Sequence, residues 1–259
     1  MKQRSLALLF AALFLSAGPS SFSQTSSVAG PTPQRVTTAD PPIVDLGSPA
    51  AATLATRPWE WGPFFQGGAG IGDRASYKFA AAGVRLGKVL TNQHLKGPFR
   101  GQFELAGEIM PYWQAFTPPQ GLQPETVYDP AAGLDYTYYV LMGGGTFTGV
   151  SLTPVIFRWD FKPTRRFAPW VQGASGLIYT THKFPPDVLV PHGQPGGTSV
   201  WNFSPQGGIG VQYFCRPGRS IMLAASGVHI SSASLGDKNP GVNASVQFQI
   251  GYTWWSTKR

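Results

Sequence analysis

The chain has 259 residues and a net charge of +8, but only 12% of its residues are charged, against 32 Gly, 24 Pro, 8 Trp, 9 Tyr and 17 Phe. That make-up excludes a charge-laced helical protein and a highly charged disordered one. The lone Cys215 excludes an intramolecular disulfide framework and any zinc site built on paired cysteines, so stability has to come from packing and backbone pairing.

Met1 to Arg4 carries two positive charges, Leu6 to Leu15 is an unbroken apolar run, and Ser21-Phe-Ser23 presents small residues at the positions a signal peptidase reads. Residues 1–23 are therefore expected to be a secretory signal peptide cleaved near Gln24. The apolar run is too short to span a bilayer as a helix, which takes about 20 residues, and no later stretch is longer. No cysteine near the cleavage site supports a lipoprotein anchor. Cleavage removes Lys2 and Arg4 and leaves an excess of positive charge that favours an anionic surface. An exported chain does not meet nucleic acid. Residues 24–58, rich in Ser, Thr, Ala and Pro without periodicity, are expected to be a flexible lead.

From Trp59 the chain reads as short extended segments separated by Gly, Pro, Asn and Asp clusters, the pattern of an all-β sandwich or barrel over residues 59–259. Eight strands are predicted, at about 62–73, 76–89, 98–112, 140–161, 167–182, 199–214, 219–231 and 244–255. In the third, Phe103, Leu105 and Ile109 share one face while Arg100, Gln102, Glu104 and Glu108 share the other. In the fourth, Val155, Phe157, Trp159 and Phe161 oppose Arg158 and Asp160; in the eighth, Val246, Phe248, Ile250, Tyr252 and Trp254 oppose Gln247 and Gln249. Period two defines strands with one apolar and one polar face.

Alternation alone is compatible with a soluble barrel that is apolar inside and with a membrane barrel that is apolar outside. Low charge, abundant Gly, and Trp or Tyr near strand ends (Trp59, Trp61, Tyr112, Trp113, Trp170, Trp201, Tyr213, Trp254 and Trp255) favour an eight-stranded antiparallel transmembrane β-barrel of the outer-membrane type, with these aromatics as an interfacial girdle. Starting from a periplasmic N-terminus, the long Pro-rich connections near 114–139 and 183–198 fall outside the cell, and the short basic ones at Lys162–Arg166 and Arg216–Arg219 fall in the periplasm. The short loop near Asp73 is the exception. A barrel of eight strands has room only for side chains, so Arg100, Glu104, Glu108, Arg158 and Asp160 are expected to fill it as a structural plug and not as catalytic groups.

Four histidines are present, His94, His182, His192 and His229. In His229-Ile-Ser231, two steps along a strand bring imidazole and hydroxyl to the same face, where a base can activate a hydroxyl for attack on an ester. A surface or capping pair has the same spacing. The context is more specific: Gly227-Val-His229-Ile-Ser231-Ser-Ala-Ser-Leu-Gly-Asp-Lys-Asn239-Pro240-Gly241-Val-Asn243, then a last strand ending Ile250-Gly-Tyr-Thr-Trp-Trp255. This run resembles the C-terminal signature of the lipid A 3-O-deacylase family, and Gly149 to Pro154 with Arg158 resembles its mid-chain strand.

That resemblance implies an eight-stranded outer-membrane barrel in a Gram-negative-type bacterium, with lipid A or lipopolysaccharide of the outer leaflet as partner. It implies hydrolysis of the 3-O-linked acyl chain, with Ser231 as nucleophile and His229 as general base. Two positions depart from the family: Asn243 stands where its acid is found, and Ser232 stands where an Asn follows the serine. Asn243 can orient a histidine but has no charge to stabilise the imidazolium; Asp237 in the same loop is a substitute candidate. Asn239 and Ser232 are candidates for shaping the oxyanion site or the loop, although Asn239-Pro-Gly is equally a turn. The alternative to an esterase is a non-catalytic barrel with a structural or adhesion role and a degenerate site. At its external strand end the His/Ser pair shares parity with Ile221 and Leu223, so it is expected to face lipid.

Gly68-x-Gly70-x-Gly72 is read as barrel-wall packing, since no helix follows to make a dinucleotide loop. Cys215 is read as an inert small side chain, and Asn243-Ala-Ser245 is a formal glycosylation sequon. No metal-ligand cluster is visible and no cofactor is expected.

Overall fold

Burial alternates residue by residue along the extended segments after Pro58, and the alternation decides which side of a closed sheet each side chain faces. The computed structural model describes residues 47–119, 121–142, 144–185, 199–233, 235 and 244–256. A short helix, α1 (Pro49–Leu54), precedes ten strands: β1 (Trp59–Gly70), β2 (Lys78–Val89), β3 (Gly101–Phe116), β4 (Gly121–Asp129), β5 (Leu134–Met142), β6 (Thr146–Phe161), β7 (Phe167–Phe184), β8 (Ser199–Arg216), β9 (Arg219–His229) and β10 (Ala244–Ser256). Eight of them close into an antiparallel barrel in the order β1-β10-β9-β8-β7-β6-β3-β2, while β4 and β5 form a separate two-stranded hairpin. The all-β, eight-stranded antiparallel barrel expected from the sequence is the fold.

The barrel is apolar outside and polar within. Phe65, Ile209 and Phe248 are each more than 60% exposed on its outer face, and Leu86, Ile109, Phe157 and Ile250 extend the same belt. Lipid is the only medium in which such a belt is favourable, and this inside-out arrangement is that of an outer-membrane barrel. The lumen holds Glu60, Arg85, Glu104, Glu108, Arg158 and Asp160, all buried. Arg85 pairs with Glu60 and, at 3.0 Å each, with Glu104 and Glu108. Arg158 Nη1 lies 3.5 Å from both Glu60 and Glu104, and its guanidinium stacks 4.1 Å from the Trp170 ring. Gln249 donates to Glu108 at 3.3 Å and Gln212 to Glu60 at 3.4 Å. Above this network Phe184 packs against Tyr77, Phe79, Trp113 and Phe147, so the upper lumen is filled by rings.

Several expectations change. Arg100 lies before β3 and is exposed, so it is no part of the plug; Glu60 and Arg85, from β1 and β2, are. Trp113, Trp170 and Trp255 point into the lumen and leave the girdle to Trp59, Trp61, Tyr112, Trp201, Tyr213 and Trp254. The long connection after β3 is not wholly irregular: it carries the β4–β5 hairpin, whose Thr126 and Thr137 hydroxyls pair at 2.9 Å. The fourth barrel strand starts at Thr146, because residues assigned to its beginning belong to β5.

Within the expected flexible lead, residues 49–54 form α1. Ser48 caps it by accepting from the Ala51 N–H at 3.2 Å, and Pro49 supplies a helix-ready first position. Ala50 and Leu54 pack with Val89, Ala168, Phe214 and Trp255 at the barrel end that carries the β6–β7 and β8–β9 turns. Ser48 Oγ donates to the carbonyls of Thr164 and Arg165, and Thr53 Oγ1 accepts from the Gly218 N–H at 3.0 Å. The helix closes the end of the barrel that holds both chain ends of the sheet. Residues 1–23, expected to be a signal peptide, and the start of the lead lie outside the described residues.

Candidate active site

β9 starts at the α1 end of the barrel and runs to the opposite end, where the longer loops are. Along it Ser220, Met222, Ala224, Ser226, Val228 and Ile230 alternate as buried, lumen-facing residues. The intervening positions, Leu223, Gly227, His229 and Ser231 among them, therefore lie on the outer face. His229 ends the strand and is half-buried; Ser231 is half-buried just beyond it. Ser231 stays in register through a bridge to β8: the Phe203 N–H donates to the Ser231 carbonyl at 2.7 Å and the Ser231 N–H to the Phe203 carbonyl at 3.0 Å. Past it the chain turns at Ala233, φ 45°, whose N–H donates to Ser231 Oγ at 3.2 Å. That donor engages a lone pair of the hydroxyl oxygen and orients it on the face it shares with the His229 imidazole.

The surroundings are those of a lipid-facing site. Tyr179 and Trp201, exposed on β7 and β8, meet at 4.9 Å on the side toward the loop end. Toward the middle of the barrel, Gly173, Gly207 and Gly227 stand opposite one another across β7, β8 and β9, all on the outer face. A Cβ at Gly173 or Gly227 would meet nothing within 4 Å. Three bare positions in register make a shallow furrow, bounded by Phe157 on β6 and Val246 on β10, that starts two residues below His229.

The structure thus brings His229 and Ser231 together on one face and separates Ser232 from them. Ser232 is buried on the inner side, so its hydroxyl faces away from an oxyanion formed outside; of its two expected roles, only shaping the chain fits its position. Asn239, Asn243 and Asp237 lie outside the described residues, as does His192. His94 is exposed at the α1 end, far along the barrel from Ser231, and His182 sits near the end of β7 with Nδ1 3.1 Å from Thr181 Oγ1. Glu104 and Glu108 are locked in the lumenal network. Sequence reasoning missed the glycine furrow and the β8 residues beside Ser231, because both depend on strand register, which alternation does not fix.

The family model described as lipid A 3-O-deacylase (PagL) matches residues 93–253. No curated protein matches the sequence significantly. Among solved structures, the outer membrane enzyme PagL aligns at 15% identity with a TM-score of 0.36, over 74% of this chain and 98% of that one. The N-terminal β-barrel domain of Pseudomonas aeruginosa OprF aligns at 12% identity, TM-score 0.35, over 74% and 99%. OprG of the same organism aligns at 9% identity, TM-score 0.38, over 78% and 97%. The family match takes in more than half of the sequence, runs from the turn before β3 to within β10 and includes both His229 and Ser231: the chain belongs to the lipid A 3-O-deacylase (PagL) family.

Proposed function

We propose that this protein is an outer-membrane esterase that removes the 3-O-linked acyl chain of lipid A, with Ser231 as nucleophile and His229 as general base. The observation that carries the proposal is the shared lipid-facing position of the two side chains at the loop end of β9. With the α1 end in the periplasm, that end lies at the outer leaflet, where lipopolysaccharide resides. The acyl ester then reaches Ser231 without leaving the membrane, and the glycine furrow runs from the site toward the bilayer centre, the direction an acyl chain takes.

In the first step Ser231 Oγ bonds to the ester carbonyl carbon as its proton passes to His229. The tetrahedral adduct collapses, the 3-oxygen of the glucosamine leaves with that proton, and an acyl-serine remains. Water, deprotonated by His229, then hydrolyses the acyl-serine and releases the fatty acid. Asn243, at the position of the family's acid, is proposed to hold the histidine tautomer without supplying charge, and Asn239 to shape the loop beside the site.

Lipid A from a Gram-negative host expressing the protein, analysed by mass spectrometry, tests this reading. Loss of one 3-hydroxyacyl chain is expected with the natural sequence, and its retention with Ser231→Ala and with His229→Ala. Unchanged lipid A in a host that carries the 3-O-acyl group would instead establish a non-catalytic barrel.

A further inference from the structure

We infer that Asn202, on the inner wall of β8, is a positioning residue for the nucleophile proposed above, acting through Ser232; the inference rests on that catalytic reading. Phe203 and Ser231 exchange both backbone hydrogen bonds, at 2.7 and 3.0 Å. In an antiparallel ladder the next pair along is of the close, non-hydrogen-bonded kind, with Cα atoms about 4.5 Å apart and side chains side by side. That next pair is Asn202 and Ser232. Both face the lumen and both are sealed from solvent, at 0% and 2% exposure.

Their chemistry is complementary. Asn202 Nδ2 donates to the Ser199 carbonyl at 3.0 Å, which orients the amide and leaves Oδ1 as an acceptor. Asn202 Oδ1 and Ser232 Oγ both lack a hydrogen-bond partner among the described residues. Ile178 stands opposite Asn202 on β7, Ile230 is buried on the same side of the chain as Ser232, and the buried Thr180 hydroxyl on β7 is engaged with the carbonyls of His182 and Val200. A buried polar group left unpaired costs about 1–3 kcal/mol. One group is an acceptor and the other carries a proton, so one bridging water that accepts from Ser232 Oγ and donates to Asn202 Oδ1 satisfies both.

The clasp bears on the site because of where Ser232 sits. It separates Ser231 from Ala233, the left-handed residue whose N–H holds Ser231 Oγ. Fixing the Ser232 side chain to the wall fixes the peptide planes on either side of it. The nucleophile's oxygen is thereby held on the outer face by a contact made on the inner one.

The test uses the full-length protein in detergent micelles with lipid A as substrate, and compares Asn202→Leu, Ser232→Ala and the double variant. Three quantities are read: kcat and KM for deacylation, the rate at which a fluorophosphonate labels Ser231, and the unfolding midpoint. Each single variant is expected to lower kcat and labelling about tenfold or more, as a displacement under 1 Å does, with KM within about twofold. The double variant removes both orphan groups, so it is expected to be no slower than the slower single one. Singles that keep full kcat, or losses that multiply in the double variant, overturn the clasp; a single variant that fails to fold leaves the other and the double to decide. A crystal structure showing the two oxygens turned apart, with no shared water, overturns it whatever the activity. Unlabelled, inactive natural protein with the clasp in place overturns the catalytic reading instead, and with it any positioning role.

Discussion

Replacing Arg85 by Met separates two ways of weighing the charges inside the barrel. Arg85 is the hub of the network: its guanidinium contacts Glu60, Glu104 and Glu108, all essentially sealed from solvent. Met keeps much of the side-chain volume but removes the only cation touching Glu108 among the described residues. Breaking a buried pair in this way costs about 3–5 kcal/mol, because carboxylates are left without compensation in a medium of low dielectric. Glu104→Gln removes a charge from the same cluster with the opposite effect on its balance. Four carboxyl groups, Glu60, Glu104, Glu108 and Asp160, surround two guanidinium groups, Arg85 and Arg158, so losing one negative charge reduces an excess. The new amide would still offer an oxygen to Arg85, and the cost is expected to stay within about 1 kcal/mol. Urea unfolding in lipid vesicles, followed by tryptophan fluorescence, measures both changes against the natural sequence. A Glu104→Gln variant as unstable as Arg85→Met, or an Arg85→Met variant within about 1 kcal/mol of the natural protein, would refute the charge-balance reasoning.

Three further outcomes are expected. Asn243→Glu restores an acid where the family has one and is expected to raise the deacylation rate; an unchanged or lower rate in the lipid A assay would show that the missing charge does not limit turnover. Gly227→Leu places a side chain in the furrow, where a Cβ has open space, so the barrel is expected to fold with the native band shift on gels while KM for lipid A rises several-fold; unaltered KM would show that the furrow carries no acyl chain. Leu54→Ala, in the cluster with Phe214 and Trp255, is expected to cost about 2–3 kcal/mol in urea unfolding, at the low end of the range for buried leucines because α1 is only six residues long. A cost near zero would mean that α1 does not seal the barrel end.

The parts of this fold legible in the sequence are those written in period two. In β3, β6 and β10 charged or amide side chains alternate with large apolar ones, so strand, faces and lumenal charges could be read together. Glu60 and Arg85 obey the same rule, but Glu60 is the one charge of β1, and Arg85 shares β2 with Lys78 and Lys88 of the opposite parity, so the charges do not mark which side of the wall is the lumen. The β4–β5 hairpin was hidden by Pro118, Pro119 and Pro124, which read as irregular chain, and its second strand merged with the next predicted one. α1 carried its own signals, Ser48 as cap and Pro49 at the first turn, inside a stretch whose composition otherwise matched disorder. At the site, His229 and Ser231 were legible because they share one strand. Asn202, Phe203, Gly173 and Gly207 were not, because they approach β9 only through strand pairing, which brings together residues remote in sequence.

The position of α1 also ties the start of the barrel domain to its later strands. The helix precedes β1, yet the groups it grips are the carbonyls of Thr164 and Arg165, the N–H of Gly218 and the ring of Trp255, contributed by the last five strands and the turns between them. β6 to β10 are successive neighbours in the wall, so these groups come together once those five strands have paired. Docking of α1 therefore reports that the second half of the wall is assembled. The exposure of Leu54 thus distinguishes a barrel whose later strands are still apart from the finished one.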